Sequence, residues 1–401
     1  MSSRPSDSEA VLVENAPHAE PTLMSSLKAV AFANFYFNLL LVFVPIAIIA
    51  GNLKWGDTVT FALNFIAIVP LAKMLDLGTD EVSKKVGQSI GALINASFGN
   101  AVELIIGVMA LRQGLLTVVQ SSLLGSILSN LLFVLGWCFF IGGMYHKTLV
   151  FSSRAANTAA TLLAVTIFGF LIPAAFSLTI SNNDPNHPAH KDSRLINVSH
   201  GTSLLLLIAY IAFLYFQLIT HPHVYEPPRN IEAANDQEEE EEEEQSLLTM
   251  PVAIGVLVVS AVIIGFCAEY LVDSIEGLSK TVGISETFIG LIILPIVGNA
   301  AEHVSAVFAA ARGKMDLAIG VALGSSMQIA LFVTPVLVIA GWSMGMPLTL
   351  NFPIFDTVVL FVAILITNHL INDGESNWLE GFMLLVCYVI VAVAYYYIGD
   401  H

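Results

Sequence analysis

Two glutamates stand where a membrane-length apolar sequence would be expected to carry none. The segment GNAVE at residues 99–103 returns as GNAAE at 298–302, each copy inside a long apolar stretch. Gly99 pairs with Gly298, Asn100 with Asn299 and Glu103 with Glu302, at a constant offset of 199 residues. A charged side chain at the centre of a bilayer costs about 2.5–3.5 kcal/mol on the mildest scales, so one that recurs with the same neighbours in both halves of a chain suggests a duplicated ion site. Asn100 and Glu103 are three residues apart, as are Asn299 and Glu302, and each pair therefore shares a helix face. Gly99 and Gly298 begin the two motifs. Glycine there loosens the helix and frees carbonyl oxygens, which is tolerated where backbone lines a cavity. Pro295 adds an interruption to the second copy that Ala96 does not add to the first.

A second matched pair follows. GSILSN begins at Gly125 and GSSMQI at Gly324, again 199 residues apart, so Ser126 and Ser129 correspond to Ser325 and Gln328. A cavity between the halves would collect two carboxylates, two carboxamides, hydroxyls and backbone carbonyls. For the three serines, a bond to a carbonyl of their own preceding turn is an ordinary alternative. The all-oxygen inventory suits a hard cation, since Ca2+ takes about six to eight oxygens at about 2.3–2.6 Å. Two carboxylates neutralise one divalent ion, and desolvated, mutually repelling carboxylates are natural proton carriers. A site that holds one Ca2+ or protons, but not both well, is the core of an antiporter. Two protons exchanged for one Ca2+ would balance charge. At about 1.4 kcal/mol per proton per pH unit, a gradient of one to two units would then support roughly 100- to 10,000-fold accumulation.

The elements that must position these groups are membrane helices. The chain of 401 residues is 56% hydrophobic and 12% charged, with a mean hydropathy of +0.78. Apolar runs of about 20 residues recur, long enough to cross a core of roughly 30 Å, and too long and continuous for the alternating strands of a β-barrel. The expected fold is an all-α polytopic membrane protein of eleven spans, near 33–51, 57–77, 85–111, 116–141, 154–176, 200–220, 251–273, 284–311, 316–341, 352–371 and 378–398. Glu103 falls in the third and Glu302 in the eighth. An odd separation of five spans makes the two segments antiparallel, which predicts one extra span followed by an inverted repeat of five plus five, with the site at the midplane between repeats. The expected divisions are a tail at 1–28, the extra span at 29–52, the first repeat at 53–220, an acidic linker at 221–249 and the second repeat at 250–401.

Placing the amino terminus in the cytosol puts about ten basic residues there (Arg4, Lys28, Lys73, Lys84, Lys85, Lys147, Arg154, Arg229, Arg312 and Lys314). Five face the other side (Lys54, Arg112, Lys191, Arg194 and Lys280). This is the sense of the positive-inside rule, and it makes the linker cytosolic and the carboxyl terminus lumenal. The first 25 or so residues are polar, and no apolar core follows a basic start, so no cleavable signal peptide is expected. Much of the net charge of −17 sits in Glu238, Glu239, Glu240, Glu241, Glu242, Glu243 and Glu244, with Asp236 just upstream. The ordinary reading of such a run is a solvated, self-repelling linker; beside a cytosolic mouth it would also concentrate cations. There is no basic footprint for nucleic acid, and Cys138, Cys267 and Cys387 form no disulfide or zinc pattern.

These motifs resemble the calcium/cation antiporter superfamily, in which paired GN-x-x-E segments carry the exchanged ion. GNAVELIIG at 99–107, GNAAEHVSA at 298–306, GSSMQIALFV at 324–333 and the acidic stretch after span six are similar to the fungal and plant vacuolar Ca2+/H+ exchangers, and the resemblance runs from span one to span eleven. It implies a multi-pass protein of the vacuolar membrane that moves cytosolic Ca2+ into the acidic lumen against protons by alternating access. Glu103 and Glu302 would carry both ions. Asn100, Asn299, Ser129, Ser325 and Gln328 would be supporting ligands, with Gly99 and Gly298 shaping the backbone. The acidic stretch, mapped to 236–244, would be a regulatory Ca2+ element. Mn2+ is a second candidate cargo; no organic cofactor is expected, and membrane lipid is the expected surrounding.

Other polar residues have both ordinary and functional readings. His303 lies about 100° around the helix from Glu302, where it is either a packed histidine or a proton relay. Glu269 and Asp273 share a face at the end of span seven, as interfacial residues or as guards of a lumenal path. Asp356 and His369 on span ten are weaker candidates. Of the two sequons, Asn95 is expected to be buried, and Asn197 to lie on a lumenal loop. Two rival functions are a Na+/Ca2+ exchanger of the same superfamily, for which spare midplane acids are few, and a calcium-permeable channel. An intramembrane enzyme finds no nucleophile–base pair or HExxH.

Overall fold

The computed structural model describes residues 21–32, 35–183, 193–222 and 246–399. The acidic residues Asp236 and Glu238 to Glu244, the start of the tail and Lys191 lie outside the described residues. With no water in the bilayer core, each long apolar run satisfies its backbone internally and is helical. In chain order the helices are α1 (Leu23–Phe32), α2 (Phe35–Leu40), α3 (Phe43–Asn52), α4 (Asp57–Lys85), α5 (Gln88–Phe98), α6 (Ala101–Arg112), α7 (Leu116–Leu128), α8 (Leu135–Tyr145), α9 (Ser153–Asn183) and α10 (Ser193–Tyr215). After the linker come α11 (Met250–Asp273), α12 (Ile275–Val282), α13 (Glu286–Phe288), α14 (Leu294–Gly298), α15 (Ala300–Ala311), α16 (Met315–Gln328), α17 (Thr334–Met344), α18 (Ile354–Ile371) and α19 (Trp378–Tyr397). Among the described residues nine helical spans are long and apolar enough to cross a membrane, or up to eleven if two sharply bent helix pairs each count as one.

Both bends depart from the sequence expectation. The first span is bent by 82° between Leu23–Phe32 and Phe37–Asn52. The eighth is preceded by α12, an amphipathic helix that ends at Gly283 in the left-handed conformation and lies at 116° to Glu286–Gly298. Asn197, expected on a loop, is an exposed residue inside α10.

The 199-residue offset reappears as geometry. α6 and α15 coincide residue for residue under it, as do α8 and α17. The turns before α7 and α16 use Gly114 at φ +77° and Gly313 at φ +80°, a left-handed backbone that suits glycine. The corresponding helices α4 and α11 run antiparallel, as inversion requires: a Cβ on Gly277 would run into Asp57, while the Leu257 backbone crosses Gly78. Spans four and nine are central, with 78% of the most apolar window of Leu116–Tyr145 buried and 72% of that of Met315–Met344. The same figure is 22% for the peripheral spans Ser193–Thr220, Met250–Asp273 and Trp378–Tyr397. Close packing is set by small residues; Gly136 and Gly381 bring α8 and α19 together, and a Cβ on Gly381 would press on the Gly136 carbonyl at 2.6 Å. A two-residue antiparallel pairing of Leu149–Val150 with Glu375–Ser376 ties two loops at one end of the bundle.

Candidate ion-binding site

Both motif helices break where the sequence places glycine and asparagine. Asn100 has φ −107° and ψ 28°, and Asn299 φ −101° and ψ 7°, near the bridge region that active-site residues often occupy. Each break has polar support. Tyr210 donates to the Ala96 carbonyl at 3.3 Å. In the second repeat the Asn299 N–H and its Nδ2 both donate to the Pro295 carbonyl, at 3.1 and 3.2 Å. The facing spans are wound as π-helix at matched positions, Ser129–Val134 and Ile329–Val333, a distortion common at functional sites. The sequence carries no distinct mark for it.

The motifs then cross. A Cβ on Gly298 would stand 2.9 Å from Glu103 Oε1, and one on Gly99 would stand 3.8 Å from Gln328 Oε1 and 3.9 Å from Glu302 Oε1. Each glutamate thus lies near the glycine of the other repeat; a side chain at Gly298 would crowd Glu103, whereas at Gly99 the approach to Glu302 is an ordinary contact distance. Asn100 Nδ2 donates to Gln328 Oε1 at 2.6 Å, Ser325 Oγ donates to Glu302 Oε2 at 2.7 Å, and Asn299 Nδ2 approaches Ser126 Oγ at 3.4 Å. Ser325 therefore does not use the ordinary bond to its own helix; its neighbour Ser326 does, donating to the Ala322 carbonyl at 2.9 Å. Among the described residues, Glu103 Oε1 and Asn100 Oδ1 are enclosed and have no hydrogen-bond partner. Unpaired buried oxygens are costly, and these are what a cation would satisfy. Among the described residues no group of three His, Cys, Asp or Glu converges; the polar atoms gathered here are two carboxylates with carboxamides and hydroxyls. Glu103, Ser126 and Gly298 also line one pocket with Ile106, Ser122, Leu123 and Leu294.

The remaining candidates lie around this cluster. Ser129 is fully buried, beside the Tyr388 hydroxyl. His303 is buried, with its ring centroid 6.2 Å from that of Phe133 and no partner at Nε2. Asp273 accepts a hydrogen bond from Gln113 Nε2, which ties the end of α11 to the residue closing α6. Asp356 accepts from the Tyr395 hydroxyl, and His369 lies in a separate cleft with Leu365, Asn368 and Asn372. Sequence reasoning missed Asp76 on α4, which stands beside Lys73 at 3.9 Å and lies within electrostatic range of Glu103 and Glu302. Its signal was present, because Lys73 and Asp76 are charges three residues apart within an apolar helix.

The packing is unequal. α7 packs so tightly on the segment Ile289–Ile293 that the Leu291 carbonyl lies against Gly125. At the equivalent position, Gly324, a Cβ would meet nothing within 4 Å among the described residues.

The pattern of the sodium/calcium exchanger proteins matches residues 56–219 and 252–397. The chain belongs to that family. Within it, the chain is 49% identical over 362 residues to a vacuolar calcium ion transporter of Schizosaccharomyces pombe, covering 90% of this chain and 85% of the relative. It is 41% identical over 370 residues to a Ca2+/H+ antiporter of Synechocystis, covering 90% and 97%. The solved structure of native YfkE shares the fold with a TM-score of 0.75 at 35% identity, over 90% of this chain and 100% of that one. The resemblance read from the repeated motifs thus holds across nearly the whole length of this family member.

Proposed function

We propose that this exchanger moves Ca2+ against H+ across the vacuolar membrane, with Glu103 and Glu302 sharing one cargo ion at the interface of the two repeats. The observation that carries the reading is the crossing of the motifs, in which Glu103 lies against Gly298 and Glu302 beside Gly99. It agrees with relatives named as a vacuolar calcium ion transporter and a Ca2+/H+ antiporter. Ca2+ enters between the carboxylates, with Asn100, Asn299, Ser325, Gln328, Ser129 and the carbonyls at Gly99 and Gly298 completing its shell; protons arriving from the lumen displace it. His303 is a packing residue in this scheme. By the basic-residue count the turn at residues 312–314 faces the cytosol and the turn at 113–115 the lumen. Relative sliding of the antiparallel pair α4 and α11 across the central spans would expose the site to one side and then the other, the usual alternating-access pattern. The acidic run at 236–244 would act from the cytosolic side as a Ca2+-responsive element, and Mn2+ is a second cargo to test.

The test is Ca2+ uptake into reconstituted vesicles under an imposed acid-inside gradient, compared with an imposed Na+ gradient at equal pH. Accumulation against the Ca2+ gradient is expected with the pH gradient alone. Accumulation driven by Na+ instead would favour a Na+/Ca2+ exchanger, and flux that only dissipates the Ca2+ gradient would favour a channel.

A further inference from the structure

One cation inside the bundle has no part in the site as described. Lys73 lies within α4, and its side chain is 24% exposed. Its Nζ stands 3.9 Å from Asp76 Oδ2 and 3.5 Å from Ser305 Oγ on α15. Ser305 follows Glu302 by three residues and so lies on its helix face. Glu302 is within electrostatic range of both Lys73 and Asp76, and Glu103 of Asp76. Ionisable groups in a transmembrane helix are expensive and pair with one another where they persist. Here the pair is long, and the ammonium is divided between an oxygen of α4 and one of α15.

We propose that Lys73 is a resident counter-cation for the transport site. Its ammonium neutralises Asp76 while no Ca2+ is bound. When Ca2+ approaches, the ammonium withdraws toward Ser305, and Asp76 becomes a third carboxylate on the access route to Glu103 and Glu302. Lys73 is a positioning residue: it acts through Asp76, sets how strongly the route holds Ca2+, and returns to help release it. A lysine suits this role because its ammonium is a compact point charge on a flexible stem. The inference rests on the Ca2+ transport reading above.

The experiment measures initial Ca2+ uptake against Ca2+ concentration in reconstituted vesicles with an acid interior, for wild type, Lys73→Gln, Lys73→Arg, Asp76→Asn and the double variant Lys73→Gln/Asp76→Asn. Removing the ammonium is expected to lower the apparent KM for Ca2+ at least threefold and to slow maximal uptake. Asp76→Asn is expected to raise KM at least threefold, and the double variant to match Asp76→Asn, because the lysine acts only through the aspartate. Lys73→Arg, which keeps the charge, is expected to stay within twofold of wild type in KM. A purely structural pair would lower protein yield or maximal uptake in each variant and leave KM within twofold of wild type. That result overturns the proposal, as does a double variant whose KM shift is the sum of the two single shifts. Wild-type uptake that ignores the pH gradient overturns the transport reading and this inference with it, whereas coupled wild-type uptake with unchanged KM in Lys73→Gln overturns the lysine's role alone.

Discussion

Replacing Ser325 by alanine probes the inequality of two positions that are equivalent in sequence. Ser126 and Ser325 are related by the 199-residue offset. Ser325 Oγ donates to Glu302 Oε2 at 2.7 Å, a short bond to a carboxylate. Ser126 Oγ receives only Asn299 Nδ2 at 3.4 Å, a long neutral contact. Hydrogen bonds to charged groups contribute about 1.5–3 kcal/mol and neutral ones about 0.5–1.5 kcal/mol, with a contact this long at the lower end. If the Ser325 hydroxyl holds Glu302 ready for the cation, Ser325→Ala raises the KM for Ca2+ by roughly 10- to 150-fold, at about 1.4 kcal/mol per tenfold. Ser126→Ala raises it by about twofold. The assay is initial Ca2+ uptake by purified variants in acid-inside vesicles, with elution volume as the check on folding, and Ser325→Thr as the variant that keeps a hydroxyl. Equal effects of the two alanine variants, within threefold, would refute the reasoning, because the distinction rests wholly on which oxygen each hydroxyl meets.

Further outcomes follow from the same geometry. Gly298→Ala would place a methyl 2.9 Å from Glu103 Oε1; it should impair Ca2+ uptake at least tenfold while the thermal midpoint in detergent moves little, since the displaced atom ends a flexible side chain. Gly381→Ala would press a methyl on the Gly136 carbonyl and the Phe140 backbone and should destabilise by about 1–3 kcal/mol, as overpacking does, seen as a lower thermal midpoint. Gly320→Ala, with open space around it, should not. Each added unit of pH gradient should raise the steady-state Ca2+ ratio by about 100-fold if two protons exchange for one Ca2+, read by a Ca2+ indicator in vesicles clamped at several internal pH values; a tenfold rise would mean one proton. Replacing Glu238 to Glu244 with glutamine should change apparent affinity or activation without abolishing exchange.

The repeat was the most legible feature of the sequence. A constant offset needs no structural knowledge, and the matched ends of α6 and α15 and of α8 and α17 follow from it. Glu103, Glu302, Asn100, Ser325 and Gln328 were readable because polar side chains are conspicuous in apolar runs. The π-helical turns at Ser129–Val134 and Ile329–Val333 were not, since their winding responds to the packing of the facing helix. α12 was overlooked because its polar face and terminal Gly283 read as a loop before the eighth apolar run. Lys73 was counted with the cytosolic basic residues although it falls inside the expected span at 57–77; in the fold it lies within α4, which continues to Lys85, and stands beside Asp76.

In the proposed scheme Glu103 and Glu302, one from each repeat, form a single Ca2+ site. Equilibrium dialysis of Ca2+ against the purified protein tests it most directly, with Glu238 to Glu244 replaced by glutamine so that linker binding does not contribute. One ion per chain is expected, lost in Glu103→Gln and lost equally in Glu302→Gln. Retention of a full equivalent of tightly bound Ca2+ by either single variant would contradict it.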